Sequence, residues 1–394
     1  MLSLMPSKFR LLAVSAACLI CLTASRARAD APTVTVAQTP NAGLQPQVAV
    51  DDNNVVHLVY LKGDPSATDV FYVRSTDGGA TWSVPVRVNS QAGSAIAMGT
   101  VRGAHLALGT HGLIHVAWTG SKRAEPKAPG DQAPMLYARG TVDASGKVTF
   151  EPQRNVMTSG LFREGGSVAA DEKGHVYVAW HALAKKGGNE DDRRVCVAVS
   201  ADDGKTFAPD SPISDPTVGV CGCCGLDVLT GADGRLYALY RGEISQVTRD
   251  VYLASTDASA MLPQTEKVAP TRSSICLMST SSLARGPRGI VGAWETADKV
   301  QWAVIDPKTG RMFDPVTAAR AGSKHPALAV DKKGETLVAW AQGTGWNKGG
   351  SVSWQVYDAG GTPMAGASGH VDGLPVWSKP AAFARPGGGF VVLY

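Results

Sequence analysis

A phrase of two short apolar strands around a tight polar turn, closing on an aromatic residue, recurs seven times along the chain. The copies span residues 47–60, 104–118, 167–180, 226–240, 282–294, 327–340 and 381–394, and they close on Tyr60, Trp118, Trp180, Tyr240, Trp294, Trp340 and Tyr394. Their turns are rich in Asp and Gly, as in Asp51-Asp52-Asn53-Asn54, Asp233-Gly234 and Asp331-Lys332-Lys333-Gly334. Such residues accept hydrogen bonds from nearby backbone amides or tolerate positive φ. A two-stranded unit cannot bury its own faces, so each copy must pack on the next. A spacing of about 45 to 63 residues leaves room for two more strands per copy, which is the period of a β-propeller blade. The expected fold is all-β: a single β-propeller of four-stranded blades.

The seventh phrase stops at Tyr394 with two strands only, which would leave an open sheet edge. Residues 33–37, Thr-Val-Thr-Val-Ala, form an isolated strand pattern that precedes the first phrase and is free to pair with the C-terminal hairpin. That closure favours seven blades, with six as the alternative.

Residues 1–29 carry Lys8 and Arg10, an apolar run over 11–22, and Ala27-Arg28-Ala29 before Asp30. This is the pattern of a secretory signal peptide, so residues 30–394 are expected to be one propeller domain delivered to the periplasm or secreted. No later segment is apolar for long enough to span a membrane as a helix. The formal charge of +4 belongs to the precursor; the signal segment holds Lys8, Arg10, Arg26 and Arg28 and no acid, which leaves the remainder neutral. Neither that balance nor any Lys/Arg block points to nucleic acid.

One turn has a signature of its own. Ser75-Thr76-Asp77-Gly78-Gly79-Ala80-Thr81-Trp82 returns as Ser200-Ala201-Asp202-Asp203-Gly204-Lys205-Thr206-Phe207, with weaker echoes at Ser255-Thr256-Asp257 and across 306–313. The pattern resembles the Asp box, or BNR repeat, of the sialidase superfamily, with Ser75, Asp77, Gly79 and Trp82, and Ser200, Asp202, Gly204 and Phe207, as structural residues. The resemblance implies a propeller whose Asp boxes lie on the face away from the pocket. It is similar most of all to bacterial exported sialidase-like proteins that share a Cys-x-Cys-Cys link (Cys221 to Cys224), Tyr240-Arg241, and Cys276-Leu277-Met278-Ser279.

Sialidases hold the substrate carboxylate with three arginines and use a tyrosine activated by a glutamate. The resemblance implies Arg163, Arg241, Arg249, Tyr240 and Glu243 as the corresponding catalytic candidates. Where the family carries an early Phe-Arg-Ile-Pro, this chain has Gly43-Leu44-Gln45-Pro46 and no arginine. The expected function is therefore binding of a glycan or another small anionic ligand, with exo-α-sialidase-type glycoside hydrolysis as an alternative.

The long links between blades gather on the face opposite the Asp boxes. Arg102, His325, Trp346 and Trp377 fall there as candidate ligand-binding residues. Beyond residue 29 the cysteines are Cys196, Cys221, Cys223, Cys224 and Cys276. Cys196 sits in an apolar strand pattern over 195–199 and reads as a core residue. In an oxidising compartment Cys221 or Cys223 is expected to pair with Cys276, joining two neighbouring links. The other reading makes Cys221, Cys223, Cys224 and Cys276 a soft-metal site for copper or zinc, or a thiol/disulfide centre. The leading reading needs no cofactor.

Overall fold

The computed structural model describes residues 31–159, 162–185, 187–257, 264–306, 309, 311–319 and 321–394. The described residues form seven sheets, six antiparallel and the last mixed. Blade 1 is Leu44–Val50, Val56–Asp64, Ala67–Ser75 and Val86–Arg87; blade 3 is Phe162–Ala170, Val176–Leu183, Arg193–Ser200 and Ser211–Pro212. Blades 5 and 6 repeat that four-stranded order, and blades 2 and 4 add one short extra strand each. Blade 7 departs from it. The hairpin Ala381–Ala384 and Phe390–Leu393 is completed by Val34–Ala37, which pairs in parallel with Phe390–Leu393, so this blade has three strands. The terminal closure expected from the open edge is the one found.

Seven apolar clusters correspond to seven blade interfaces. One joins Val59 and Tyr72 of blade 1 to Val116 and Trp118 of blade 2. The last joins Val56, Leu58 and Tyr60 of blade 1 to Phe383, Val391 and Leu393 of blade 7, which closes the ring. The aromatic residues that end the inner hairpins are these interfaces' anchors: Trp118, Trp180, Tyr240 and Trp294 are fully buried. Burying one such ring contributes on the order of 1.5–3 kcal/mol.

Both full Asp boxes form the same hydrogen-bonded turn. Ser75 Oγ donates to Asp77 Oδ1 at 2.7 Å, Gly79 N donates to Ser75 Oγ at 2.8 Å, and Thr81 N donates to Asp77 Oδ1 at 2.9 Å. Ser200, Asp202, Gly204 and Thr206 repeat these contacts at 2.7, 2.9 and 2.8 Å. Donors from Thr206 hold the Asp202 carboxyl down at about 2. Gly204 is obligatory here: its φ is +76°, and an added Cβ would lie 2.0 Å from the Tyr137 hydroxyl. Trp82 and Phe207 return to the packed layer, Phe207 edge-on to Tyr137 with centroids 5.0 Å apart. The weaker echoes at Ser255 and across 306–313 run into 258–263, 307, 308 and 310, outside the described residues.

A blade of this order puts its first and third turns on one face and its second turn and outgoing link on the other. The Asp boxes and Asp-Gly turns share the first face. All the long links, 88–104, 213–226, 270–281 and 375–380 among them, share the second.

Candidate functional site

The inner strands enclose an axial channel. Near the link face it narrows to a throat of about 60 Å3 lined by Gln47, His105, Asp227, Thr280, Ser282 and Lys379. Toward the turn face it widens to about 890 Å3 between Asp51, Leu106, Val168, Arg285, Lys332 and Arg385. A third hollow of about 20 Å3 lies on the link face beside the throat, lined by Gly99, Thr100, Met278, Lys324, His325, Trp346 and Trp377. Thr100 lines both throat and hollow, so they form one mouth.

In the throat, Ser167 Oγ donates to Asp227 Oδ1 at 2.9 Å and lies 3.1 Å from His105 Nδ1, while Asp227 Oδ2 accepts from Leu283 N at 2.8 Å. Four blades are tied at this point. Ser167 is fully buried and its proton is committed to a carboxylate, so the trio locks the ring and offers no nucleophile. Lys379 Nζ reaches Gln47 Oε1 at 3.3 Å. Burial brings its ammonium down to about 8, with Asp227 pulling the other way. His325 is held neutral, at about 3, by burial and by the charges of Lys324 and Lys379. Lys324 lines the hollow, its Nζ donating to Leu277 O at 2.8 Å, and Lys379 lines the adjoining throat.

The backbone of the mouth is unusual. Thr100, Met278, His325 and Trp377 adopt φ of +61°, +48°, +53° and +57°, the region that non-glycine residues seldom occupy. All four line the hollow, and strain of this kind persists where surrounding structure imposes it. Gln45, itself at φ +52° and fully buried, imposes part of it. Its Nε2 donates to Ala97 O and, at 2.9 Å, to Trp377 O, and its own N donates to Ser378 Oγ at 3.1 Å. Gln45 and His325 each precede a proline at a β-bulge where an inner strand begins.

Of the ligand-binding candidates, His325, Trp346 and Trp377 line the hollow. Arg102 stands at its edge, with Nη1 3.0 Å and the Trp346 ring 3.2 Å from the point where a Cβ on Gly99 would sit. Arg102 is not free for a ligand: it donates to Met98 O at 2.8 Å and is ion-paired with Glu164.

The expected staple is formed by Cys223 and Cys276, 53 residues apart, and joins the links before blades 4 and 5. Cys196, Cys221 and Cys224 are buried thiols. Of the soft-metal candidates, the Cys221, Cys223 and Cys224 sulfurs lie within 4.8 Å of one another, with Cys223 bonded to Cys276. Around the thiols, Arg249 Nη1 donates to Cys221 Sγ at 3.0 Å and Nη2 lies 3.4 Å from Glu190 Oε2. Arg241 Nη1 donates to Arg249 O at 2.8 Å, and its Nη2 pairs with Glu295 Oε2 at 2.8 Å.

Among the described residues the sialidase-type constellation is not assembled. Arg241 and Arg249 are buried and turned to internal partners rather than to a common opening. Glu243 is fully buried and accepts from Gln246 N; burial raises its carboxyl, reinforced by Asp191 and Glu190. Tyr240 lies in the cluster between blades 3 and 4, stacked on Tyr252 with centroids 5.8 Å apart, its phenol raised by burial. The correction was available from its repeat position, which Trp118, Trp180 and Trp294 also occupy. The Arg163 side chain lies outside the described residues. Because the Tyr240 hydroxyl has only the Asp215 backbone and the Thr265 side chain beside it and phenylalanine keeps the packed ring, Tyr240→Phe should cost no more than about 1.5 kcal/mol, measured by denaturant unfolding.

Sequence reasoning missed Gln45, His105, Asp227 and Lys379. Lys379-Pro380 repeats the X-Pro start seen at Gln45-Pro46 and His325-Pro326, a signal that was legible.

No protein family matches the sequence, and no curated protein matches it in sequence. In fold it is similar to an α-L-arabinanase from Penicillium chrysogenum complexed with arabinobiose (TM-score 0.54, 15% identity, 82% of this chain and 96% of that one). It is similar also to the α-L-arabinofuranosidase Arb93A from Fusarium graminearum (TM-score 0.52, 12% identity, 84% and 98%). The NanB sialidase from Streptococcus pneumoniae gives a TM-score of 0.51 at 8% identity, over 88% and 70%. At these identities the likeness is one of fold, and the β-propeller that the Asp boxes implied is the fold the chain adopts.

Proposed function

We propose that the protein is an exported sialidase-like propeller that binds a small anionic ligand, an acidic glycan above all, at the link-face mouth without hydrolysing it. The carrying observation is the pairing of a half-buried ammonium, Lys379, with the Lys324, Trp346 and Trp377 side chains around the adjoining hollow. A carboxylate would meet cations in a poorly hydrated throat while a sugar face rests on indole. Structural neighbours that include an arabinobiose complex and a sialidase favour carbohydrate as the ligand class. Hydrolysis by paired carboxylates lacks support: among the described residues that line throat and hollow, Asp227 is the one carboxylate.

Titration calorimetry with N-acetylneuraminic acid, galacturonic acid and galactose tests this. Acidic sugars should bind and galactose should not, and Lys379→Met should weaken binding at least tenfold. Lys379 is charged below about pH 8 and neutral above it, so affinity should hold through neutral pH and then fall roughly tenfold per unit. Equal binding of neutral and acidic sugars, or affinity unaltered from pH 7 to 10, would refute the reading. A fluorogenic sialoside should not be turned over.

A further inference from the structure

The ligand reading leaves four sulfurs at the rim unused. Cys221-Gly222-Cys223-Cys224 sets Cys221 and Cys224 at the C-x-x-C spacing of dithiol redox pairs, and interleaves Cys223, which is already oxidised. Cys221 Sγ stands 3.2 Å from Cys223 Sγ and 3.6 Å from Cys224 Sγ. The first distance is shorter than an ordinary sulfur contact and brings a thiol against one end of a disulfide. Cys221 and Cys224 are sealed from solvent, whereas Cys276, at the other end of that disulfide, is exposed.

We propose that these four cysteines form a thiol–disulfide exchange site, in which Cys223–Cys276 and Cys221–Cys224 are alternative positions of one oxidised bond. In the first step the Cys221 thiolate attacks Cys223 Sγ. A Cys221–Cys223 bond forms, the Cys223–Cys276 bond breaks, and Cys276 leaves with the electron pair. In the second, the Cys224 thiolate attacks Cys221 Sγ; a Cys221–Cys224 bond forms and Cys223 leaves as the thiolate. The two protons given up by Cys221 and Cys224 end on Cys223 and Cys276. The sequence is redox-neutral and draws on no outside oxidant or reductant.

One cationic contact acts on the first attacker. Arg249 donates to Cys221 Sγ at 3.0 Å, and Arg193 lies over Gly222, its Nη1 2.3 Å from where a Cβ would be. The hydrogen bond to Cys224 and burial raise the Cys221 thiol, and the Arg249 guanidinium on its sulfur works against that rise; the same hydrogen bond draws Cys224, the second attacker, down to about 6. Glu190 faces the same guanidiniums and moderates them, and Arg241 with Glu295 flanks Cys224. Exchange frees Cys276 as an exposed thiol, open to small disulfides or to cysteine-bearing peptides. It also unties the link that carries Met278 and Thr280, which line the mouth.

The test uses the full chain, reduced and then reoxidised with one equivalent of oxidised glutathione so that each molecule carries one disulfide. Samples held at pH 7.5 with N-ethylmaleimide are taken over time, digested and mapped by mass spectrometry. Labelled Cys276 should accumulate together with a Cys221–Cys224 disulfide, at a rate independent of protein concentration. Cys221→Ser should lower the rate of Cys276 labelling at least tenfold; Cys224→Ser should stop at Cys221–Cys223 and still expose Cys276. Buried Cys196 should stay unlabelled until denaturant is added, which reports that the fold is intact. Should a variant not fold, the wild-type time course decides alone. Cys223–Cys276 as the sole disulfide at all times, with Cys276 unlabelled, overturns the proposal, as does stoichiometric zinc or copper on these sulfurs in the purified protein.

Discussion

Arg241→Met should destabilise the protein by about 3–5 kcal/mol, more than any other single substitution considered above. Glu295 is fully buried on the second strand of blade 5, and Arg241 is its ion-pair partner at 2.8 Å. Asp298 N, at 2.7 Å on Oε1, is the other donor. Methionine fills similar volume but leaves the carboxylate without its ion-pair partner, with only the more distant Lys324 acting on it, and it orphans Arg249 O, which the guanidinium also serves. Burial already raises the Glu295 carboxyl and Arg241 opposes that rise. Without the arginine its folded-state pKa climbs further above the unfolded one, so the variant regains stability below the unfolded value and loses it as pH rises through the folded one. The deficit against wild type should therefore be smallest near pH 4 and largest above pH 7, as read from urea unfolding midpoints. Adding Glu295→Gln to Arg241→Met should recover part of the loss at neutral pH and remove the pH dependence. A deficit that is small, or the same at pH 4 and pH 8, would mean the pair contributes little.

The pair also shows how far residue types alone could carry the functional reading. Arg241 and Arg249 were expected to converge on a ligand because the resemblance implied them as part of a carboxylate-binding group. Arg241 instead lies near the end of the strand Arg235–Glu243 and Arg249 in the turn after it, and a buried guanidinium is governed by its nearest carboxylate or thiol, here Glu295 of the next blade and Cys221, both tens of residues away in sequence. The blades themselves were legible because their inner strands must be apolar on both sides and their turns need Asp and Gly. Outer strands such as Val86–Arg87, Ser211–Pro212 and Val316–Thr317 were not, since two residues carry no periodicity. Tyr240 was misread for the opposite reason: the family's phenol outweighed the repeat position that made it a packing ring. Lys379, His105 and Asp227 escaped notice because they stand at the starts of inner strands, where the repeat predicts core and only an axial channel makes room for charge.

Removing residues 31–38 should cost about 3–6 kcal/mol and promote self-association of the chain. The segment contributes Val34–Ala37, paired with Phe390–Leu393 in parallel register from Val34 opposite Phe390 to Ala37 opposite Leu393. Phe390 N donates to Thr33 O at 2.8 Å and Tyr394 N to Ala37 O at 3.1 Å; these bonds and their ladder neighbours contribute about 1 kcal/mol net each. Val34 and Val36 pack against the cluster between blades 6 and 7, adding roughly 1 kcal/mol apiece at half burial. Ordering a free N-terminal strand offsets part of this sum. More consequential is what is left behind, since the truncated ring presents Phe390–Leu393 as an apolar edge with unpaired amides, a template for pairing with another chain. Light scattering should show association that grows with concentration, and the unfolding midpoint should fall. A synthetic peptide of residues 31–42, added in excess, should restore both, because it supplies the same strand in trans. A truncated protein whose association and midpoint match those of the full chain would show that blade 7 is stable as a bare hairpin, and that the ring is held by the interblade clusters without its N-terminal strand.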